Sequence, residues 1–323
     1  MRKQWVAVFV SLGLGLASPI LSADESFDNY VSGLKQEARE KGIDDSILES
    51  AFADVTFIER AVKADKNQPE KKLTLDEYLP RAVPQWKIEQ ANKYYQQHKQ
   101  ALDRIGRQYG VQPRFIVALW GVESNFGRLT GSYNVIEALT TLAYEGRREA
   151  FFREQVMAAL TILQQGHIAA ADMKGSWAGA MGQPQFMPTS YLTFAVDGNG
   201  DGKADIWKTE DDVFASAANY LSKSGWDDKY TWGRQVRIPE GLSDSLKGVE
   251  SQKVKSLSEW EQLGVRRLNG TALPKVDVSA WLVQPDDNHG RAYLVYGNYQ
   301  TLLKWNRSHY FALAVSTLAD SIR

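Results

Sequence analysis

The first apolar stretch covers residues 5–17, preceded by Arg2 and Lys3 and followed by Ser18-Pro19-Ile20-Leu21-Ser22-Ala23 and the acidic Asp24-Glu25. A charged start, a short apolar segment and a small residue at a cleavage point predict an export signal, residues 1–23, cut after Ala23. A membrane anchor needs about 20 apolar residues, and Pro19 interrupts this run too early. Over residues 27–67 the apolar positions Tyr30, Leu34, Ile43, Ile47, Leu48 and Phe52 recur near a 3.6 period, which predicts helix. Residues 67–73, with Gln68-Pro69-Glu70-Lys71-Lys72, read as a polar connector. A second helix is expected over 84–105. Beyond Trp232 the pattern shortens to strand-like runs at 235–238, 279–284 and 292–296, separated by turn clusters such as Asp286-Asp287-Asn288-His289-Gly290. Residues 299–323 return to helix, with Tyr310, Leu313, Ala314 and Leu318 on one side, expected to pack back on the N-terminal helices.

The most informative helix is 113–127. It opens with Pro113, suited to a first turn, and closes at Gly127, suited to a C-cap. Phe115, Leu119, Val122 and Phe126 form one apolar stripe, and Glu123, four residues after Leu119, lies on or beside it. Burial and the negative end of the helix dipole both disfavour the ionised carboxylate and raise its pKa. A carboxylic acid that keeps its proton near neutrality suits general-acid cleavage of a glycosidic bond. By spacing alone, a Glu near a helix end more often points into water.

Residues 175–191 contain Gly175, Gly179, Gly182, Pro184 and Pro188 with few charges, too apolar for a solvated linker and too broken for a long helix. The segment reads as a site wall. Ser176 and Gln185 supply hydroxyl and amide groups, while Trp177, Phe186 and Tyr191 offer flat faces to pyranose rings; any one of these aromatics, taken singly, is better explained by core packing.

Downstream, Asp197-Gly198-Asn199-Gly200-Asp201-Gly202-Lys203-Ala204-Asp205 matches a calcium loop of the EF-hand type at positions 1, 3, 5, 6 and 9. Lys203 would contribute its backbone carbonyl at position 7. Lys208 stands at position 12, where a bidentate Glu is usual. The plain alternative is an acidic turn without metal. A cation here would be structural, because calcium activates water poorly compared with zinc.

Composition removes other classes. The 323 residues are 43% hydrophobic and 24% charged, enough for a full core and two or three subdomains. Lys plus Arg number 38 against 39 Asp plus Glu, with no basic stripe, so nucleic acid is disfavoured as a partner. There is no cysteine, hence no disulfide and no lipid anchor, and the processed protein is expected to be soluble in the periplasm. The four histidines show no metal-ligand spacing, and nucleophile-elbow and phosphate-loop motifs are missing from the sequence.

Residues 118–127, Ala-Leu-Trp-Gly-Val-Glu-Ser-Asn-Phe-Gly, followed by Gly179-Ala180-Met181-Gly182 and Gln185-Phe186-Met187-Pro188-Thr189-Ser190-Tyr191, resemble the lytic murein transglycosylase B family. The likeness extends from Tyr78 to about Ala314. It implies a mainly α (α+β) protein: a lysozyme-like core over 105–230 carrying the EF-hand-like loop 197–212, a helical subdomain from 24–104 plus 296–323, and a small β-rich insertion at 231–295. It implies Glu123 as the catalytic residue and Tyr78, Ser176, Gln185, Phe186, Tyr220 and Asn306 as glycan-cleft positions. Family members close the acidic loop with a later carboxylate, here Asp212 or, beside it, Asp211. Trp305, where the family often has Tyr, and Gln183-Pro184, where Tyr-Gly is common, depart from the pattern.

The reaction the resemblance implies needs one carboxyl group and no catalytic cofactor. Glu123 protonates the oxygen between N-acetylmuramic acid and N-acetylglucosamine in peptidoglycan, the N-acetyl group stabilises the cationic centre, and Glu123 takes the proton of the C6 hydroxyl, leaving a 1,6-anhydromuramoyl end. A hydrolytic muramidase and a non-catalytic wall-binding protein are the rival readings. Whether cell-wall synthesis proteins are further partners is left open by the sequence.

Overall fold

The computed structural model describes residues 23–67 and 73–323. The expected export signal up to Ser22 and the core of the polar connector, 68–72, lie outside the described residues.

The fold is mainly helical with a small five-stranded sheet and a two-stranded ribbon, and its apolar side chains gather in three clusters. The first surrounds the helix Pro113–Ser124. That helix is buried on nearly every side, from Phe115 to Gly121, and not along a single stripe as expected. The reason is its place: the helices Gln85–Gln97, Lys99–Tyr109, Glu210–Lys223 and His309–Asp320 all pack on it. A helix apolar all round belongs at the centre of a core.

The expected helix over 84–105 is two helices, Gln85–Gln97 and Lys99–Tyr109, broken at His98. The His98 ring meets Trp120 at 5.9 Å and Phe214 at 5.3 Å, so the bend lets both halves lie against the central helix. The C-terminal stretch is likewise two helices, Gly297–Trp305 and His309–Asp320. Asn306 is extended (φ −143°), its side-chain oxygen accepts from the Ser308 amide, and Ser308 caps the next helix by accepting from Phe311. This break turns Trp305 inward.

The second cluster joins the helices Ala23–Glu40, Asp45–Ala51, Val135–Glu145 and Glu149–Gln164 with the loop that follows Met173. The C-terminal helix meets Leu75–Ala82 and the central helix, and its end is tied to Asn92; Ala23–Glu40 and Asp45–Ala51 pack on the other half. Leu75–Ala82 starts at a capping box, with the Thr74 hydroxyl accepting from the Glu77 amide and the Glu77 carboxylate accepting from the Thr74 amide.

The third cluster lies under an antiparallel five-stranded sheet ordered Lys255–Ser256, Ser279–Val283, Ala292–Val295, Gly233–Arg237, Arg266–Arg267. Ala292–Val295 is central and buried along its whole length. Trp260, fully buried, anchors the helix Leu257–Gln262 by donating to the Ala280 carbonyl at 3.0 Å. None of the described helices is long and apolar enough to cross a membrane.

Candidate active site

The central helix ends differently from the sequence expectation. Its C-cap is Asn125 (φ 52°, ψ 50°), and Phe126 (φ 59°) and Gly127 (φ 77°) follow in the same left-handed region. Two non-glycine residues there cost of order 1–2 kcal/mol each. The offset comes from packing: Phe126 is buried against Trp120 and Tyr94, and Gly121 leaves the space its ring fills. Ser124, fully buried, accepts from the Gly127 amide and fixes the turn. Glu123 is the side chain this stiff terminus presents.

Glu123 is enclosed on its helix side and only partly open to solvent. Burial pushes its carboxyl up to about 7, against a partial pull downward from one hydrogen bond. That bond comes from Trp305, whose indole N–H donates to Glu123 Oε1 at 2.6 Å. No Asp or Glu is among the groups that shift Glu123.

Trp305 sits on an aromatic bed. Tyr220 lies 4.6 Å from it and Phe186 5.3 Å, centroid to centroid, and the Tyr220 hydroxyl donates to the Lys304 carbonyl at 2.8 Å. Phe186 is 3% exposed and packs against Trp305, so, contrary to the sequence expectation, it offers no open face to a sugar and acts as support beneath the site. Tyr78, on Leu75–Ala82, approaches from the other side; burial and the nearby Glu123 charge raise its pKa, so its phenol stays neutral. Its ring meets Tyr310 edge-on at 5.2 Å. A cavity of about 700 Å³ adjoins Tyr78, lined also by Leu73, Pro285, Asp286, Ser308 and Tyr310. Asn306 is exposed one residue beyond Trp305.

The loop after Lys174 is built rigidly. Strand Lys174–Gly175 pairs with Tyr133–Asn134, and Met181 bridges to both Gly175 and Phe186. The Ser176 hydroxyl accepts from the Ala178 and Ala180 amides, and Gln185, itself at φ 52°, donates to the carbonyls of Thr130 and Gly182. Both polar side chains thus shape the wall, and both remain half-exposed at its surface. Tyr191 is different. It is 2% exposed, its hydroxyl donates to the Ala204 carbonyl at 2.7 Å, and it packs on Trp207, so it offers no face to a sugar. The short helix Pro188–Phe194 turns it into the second core, which its place in a glycine-rich segment did not reveal.

Gln183, read from the sequence only as a departure, is buried at a junction. Its carbonyl oxygen accepts from Trp120 Nε1 at 2.6 Å, its amide donates to the Trp207 carbonyl at 3.0 Å, and its backbone N–H donates to Ile206. The central helix, the loop and the acidic turn meet through this one side chain. Trp305 and Gln183 are the two site-forming residues whose roles the sequence pattern missed.

In the acidic turn, Asp197 accepts from the amides of Gly200, Asp201 and Gly202, which lowers its pKa. Asn199 and Asp201 accept from the Asp201 and Lys203 amides, and Asp205 from those of Trp207 and Lys208. Asp212 is fully buried, with its two oxygens on the Gly198 and Asp205 amides, and burial raises its pKa. Asp211 pairs with Arg104 at 2.6 Å. Among the described residues no three His, Cys, Asp or Glu side chains converge as a metal cluster. The oxygen-only donor set, with Gly202 at the turn, is of the kind a hard cation takes.

Residues 26–320 match the family model described as the transglycosylase SLT domain. The chain belongs to this family. Within it, membrane-bound lytic murein transglycosylase B of Escherichia coli (strain K12) is 32% identical over 240 residues, covering 71% of this chain and 62% of the relative. The chain therefore spans less than two thirds of the length of that curated relative. Pseudomonas aeruginosa SltB3, solved in complex with NAG-NAM-pentapeptide, is 43% identical over 92% of this chain and 79% of its own, with a TM-score of 0.88. Escherichia coli Slt35, solved in complex with calcium, is 25% identical, with 94% of each chain covered and a TM-score of 0.78. Mainly α and lysozyme-like, the fold expected from the sequence is the fold of these transglycosylases.

Proposed function

We propose that this chain is a periplasmic lytic transglycosylase that cleaves the β-1,4 bond between N-acetylmuramic acid and N-acetylglucosamine without water. One observation carries the reading: Glu123 is a protonatable carboxyl group, pushed up to about 7 by burial, and among the described residues no second carboxylate shifts it. Most glycosidases that use water employ two carboxyl groups, one to deliver a proton and one to activate the nucleophile. A lone acid suffices when the sugar supplies the nucleophile. Glu123 gives its proton to the leaving oxygen, and the substrate's N-acetyl group supports the positive charge at C1. The resulting carboxylate withdraws the C6 hydroxyl proton as O6 closes on C1.

The remaining cleft residues fit this chemistry. Tyr78 lies close enough to feel the Glu123 charge, Phe186 and Tyr220 pack on Trp305, and Ser176, Gln185 and Asn306 would offer hydroxyl and amide groups to the glycan. Family membership and the glycan-bound relative support peptidoglycan strands as the ligand. The export-signal pattern at residues 1–23 supports action in the periplasm.

For the acidic turn we infer a structural calcium ion. Asp197, Asn199, Asp201, the Lys203 carbonyl, Asp205 and Asp212 would hold it, and it would supply charge neutralisation only. The calcium complex of Slt35 supports this reading.

The direct test of activity is release of soluble fragments from isolated sacculi. The native chain should release them and Glu123→Gln should not; equal release by both would remove Glu123 from the mechanism.

A further inference from the structure

We propose that Trp305 is a positioning residue for Glu123, whose N–H occupies Oε1 and thereby confines the transferable proton to Oε2. The inference rests on the proposed role of Glu123 as the acid, and its own support is geometric. An indole N–H is a donor and never an acceptor. A carboxylic acid has one carbonyl oxygen that accepts and one hydroxyl that donates. The carbonyl oxygen is the stronger acceptor of the two, so with the indole 2.6 Å from Oε1 the protonated form is favoured with its carbonyl at Oε1 and its proton on Oε2. Among the described residues no group donates to Oε2, so its proton is free to go to a bound glycosidic oxygen.

The indole is held too firmly to leave. Tyr220 and Phe186, themselves 5.9 Å apart, pack on its ring as tilted neighbours at 4.6 and 5.3 Å, the Tyr220 hydroxyl pins the Lys304 carbonyl just before it, and Lys304 Nζ donates to the Ser224 carbonyl at 2.7 Å. The Asn306 amide closes the helix on the Leu302 carbonyl just after it. A tyrosine hydroxyl in the same place can accept as well as donate, and would let the proton sit on either oxygen.

The same bond strengthens when the acid gives up its proton, since a donor to a carboxylate is worth more than a donor to a neutral carbonyl. Trp305 therefore stabilises the anion that must next act as base. The ionisable groups facing this pair are Tyr78 on Leu75–Ala82 and Tyr220 on Glu210–Lys223, both raised by burial and neutral throughout the working range. Tyr94 and His98 face the central helix at Trp120, His309 and Tyr310 flank it on the C-terminal helix, and Asp320 is paired with Arg114 near the opposite end. None of these is among the groups that shift Glu123.

The test replaces Trp305 by benzothienylalanine, which keeps the ring shape and puts sulfur in place of N–H, with Trp305→Phe as a genetically encoded companion. Carboxyl-carbon NMR titration, with Glu123→Gln assigning the signal, reads the acid directly and needs no turnover. The pKa of Glu123 should rise in both variants, because the lost donor favoured the anion. The alkaline limb of the pH profile should move upward with it, and kcat should fall roughly tenfold or more, the size of a lost charge-assisted hydrogen bond, with KM little changed. An unchanged titration, or a loss confined to KM, would make Trp305 a wall of the sugar site and overturn the inference. A native chain that releases no glycan fragments would instead overturn the proposed function, and the titration would still decide the role of Trp305.

Discussion

At the residue scale, Glu123 shows how a fold makes an acid usable at neutral pH. In water its proton would be gone at pH 7; in the site the proton is held far more strongly, because the neutral form avoids the cost of burying a charge. The same shift is a stability effect with a definite sign. The native state holds this proton up to about pH 7 and the unfolded chain loses it near 4.5, so the contribution is present at low pH and lost as pH rises through the folded value. Glu123→Gln removes that dependence. Compared with the native chain, the variant should gain on the order of 3 kcal/mol between about pH 5 and about pH 8, measured by urea unfolding. A stability difference that stays flat with pH would mean the carboxyl group is not raised. Glu123 was legible in the sequence because its helix, stripe and motif are contiguous. The donor to it was not, because Trp305 lies 182 positions away and only the folded chain brings them together.

At the element scale, helices and strands were legible where apolar spacing was continuous, and their breaks were not. His98 and Asn306 interrupt runs that look helical throughout, and both interruptions are imposed by what the chain must cover or reach. Tyr191 was misread for a related reason: an aromatic in a glycine-rich loop has no period to say which way it faces. Gln183 joins three elements, and its consequence is measurable. Gln183→Leu leaves the buried Trp120 N–H without an acceptor and should cost about 1–3 kcal/mol in unfolding free energy. No loss of stability would show that water replaces the amide and that the junction is dispensable. The acidic turn makes a separate prediction. If calcium binds the native state alone, the midpoint of thermal unfolding should rise with added calcium and fall with chelator; a midpoint indifferent to both would reject the site.

At the scale of the whole molecule, the site lies where two of the three apolar clusters meet. Trp305 packs against both the cluster around the central helix and the cluster around Val135–Glu145 and Glu149–Gln164, while Tyr78 belongs to the first and Tyr220 to the second. A seam between two packed halves is where a long polymer can lie across a buried acid without opening the core. The mainly helical class, the small sheet and the family were legible from motifs and spacing. The seam was not, since it depends on how the first helices divide between the two halves.

The central claim is that one acid does the work and the sugar itself closes the ring. The measurement that tests it most directly is the mass of fragments released from isolated sacculi by the native chain in heavy-oxygen water. The account predicts 1,6-anhydro ends, each lighter by one water than a hydrolysed end and free of the heavy isotope. Reducing ends that carry the heavy oxygen would contradict it.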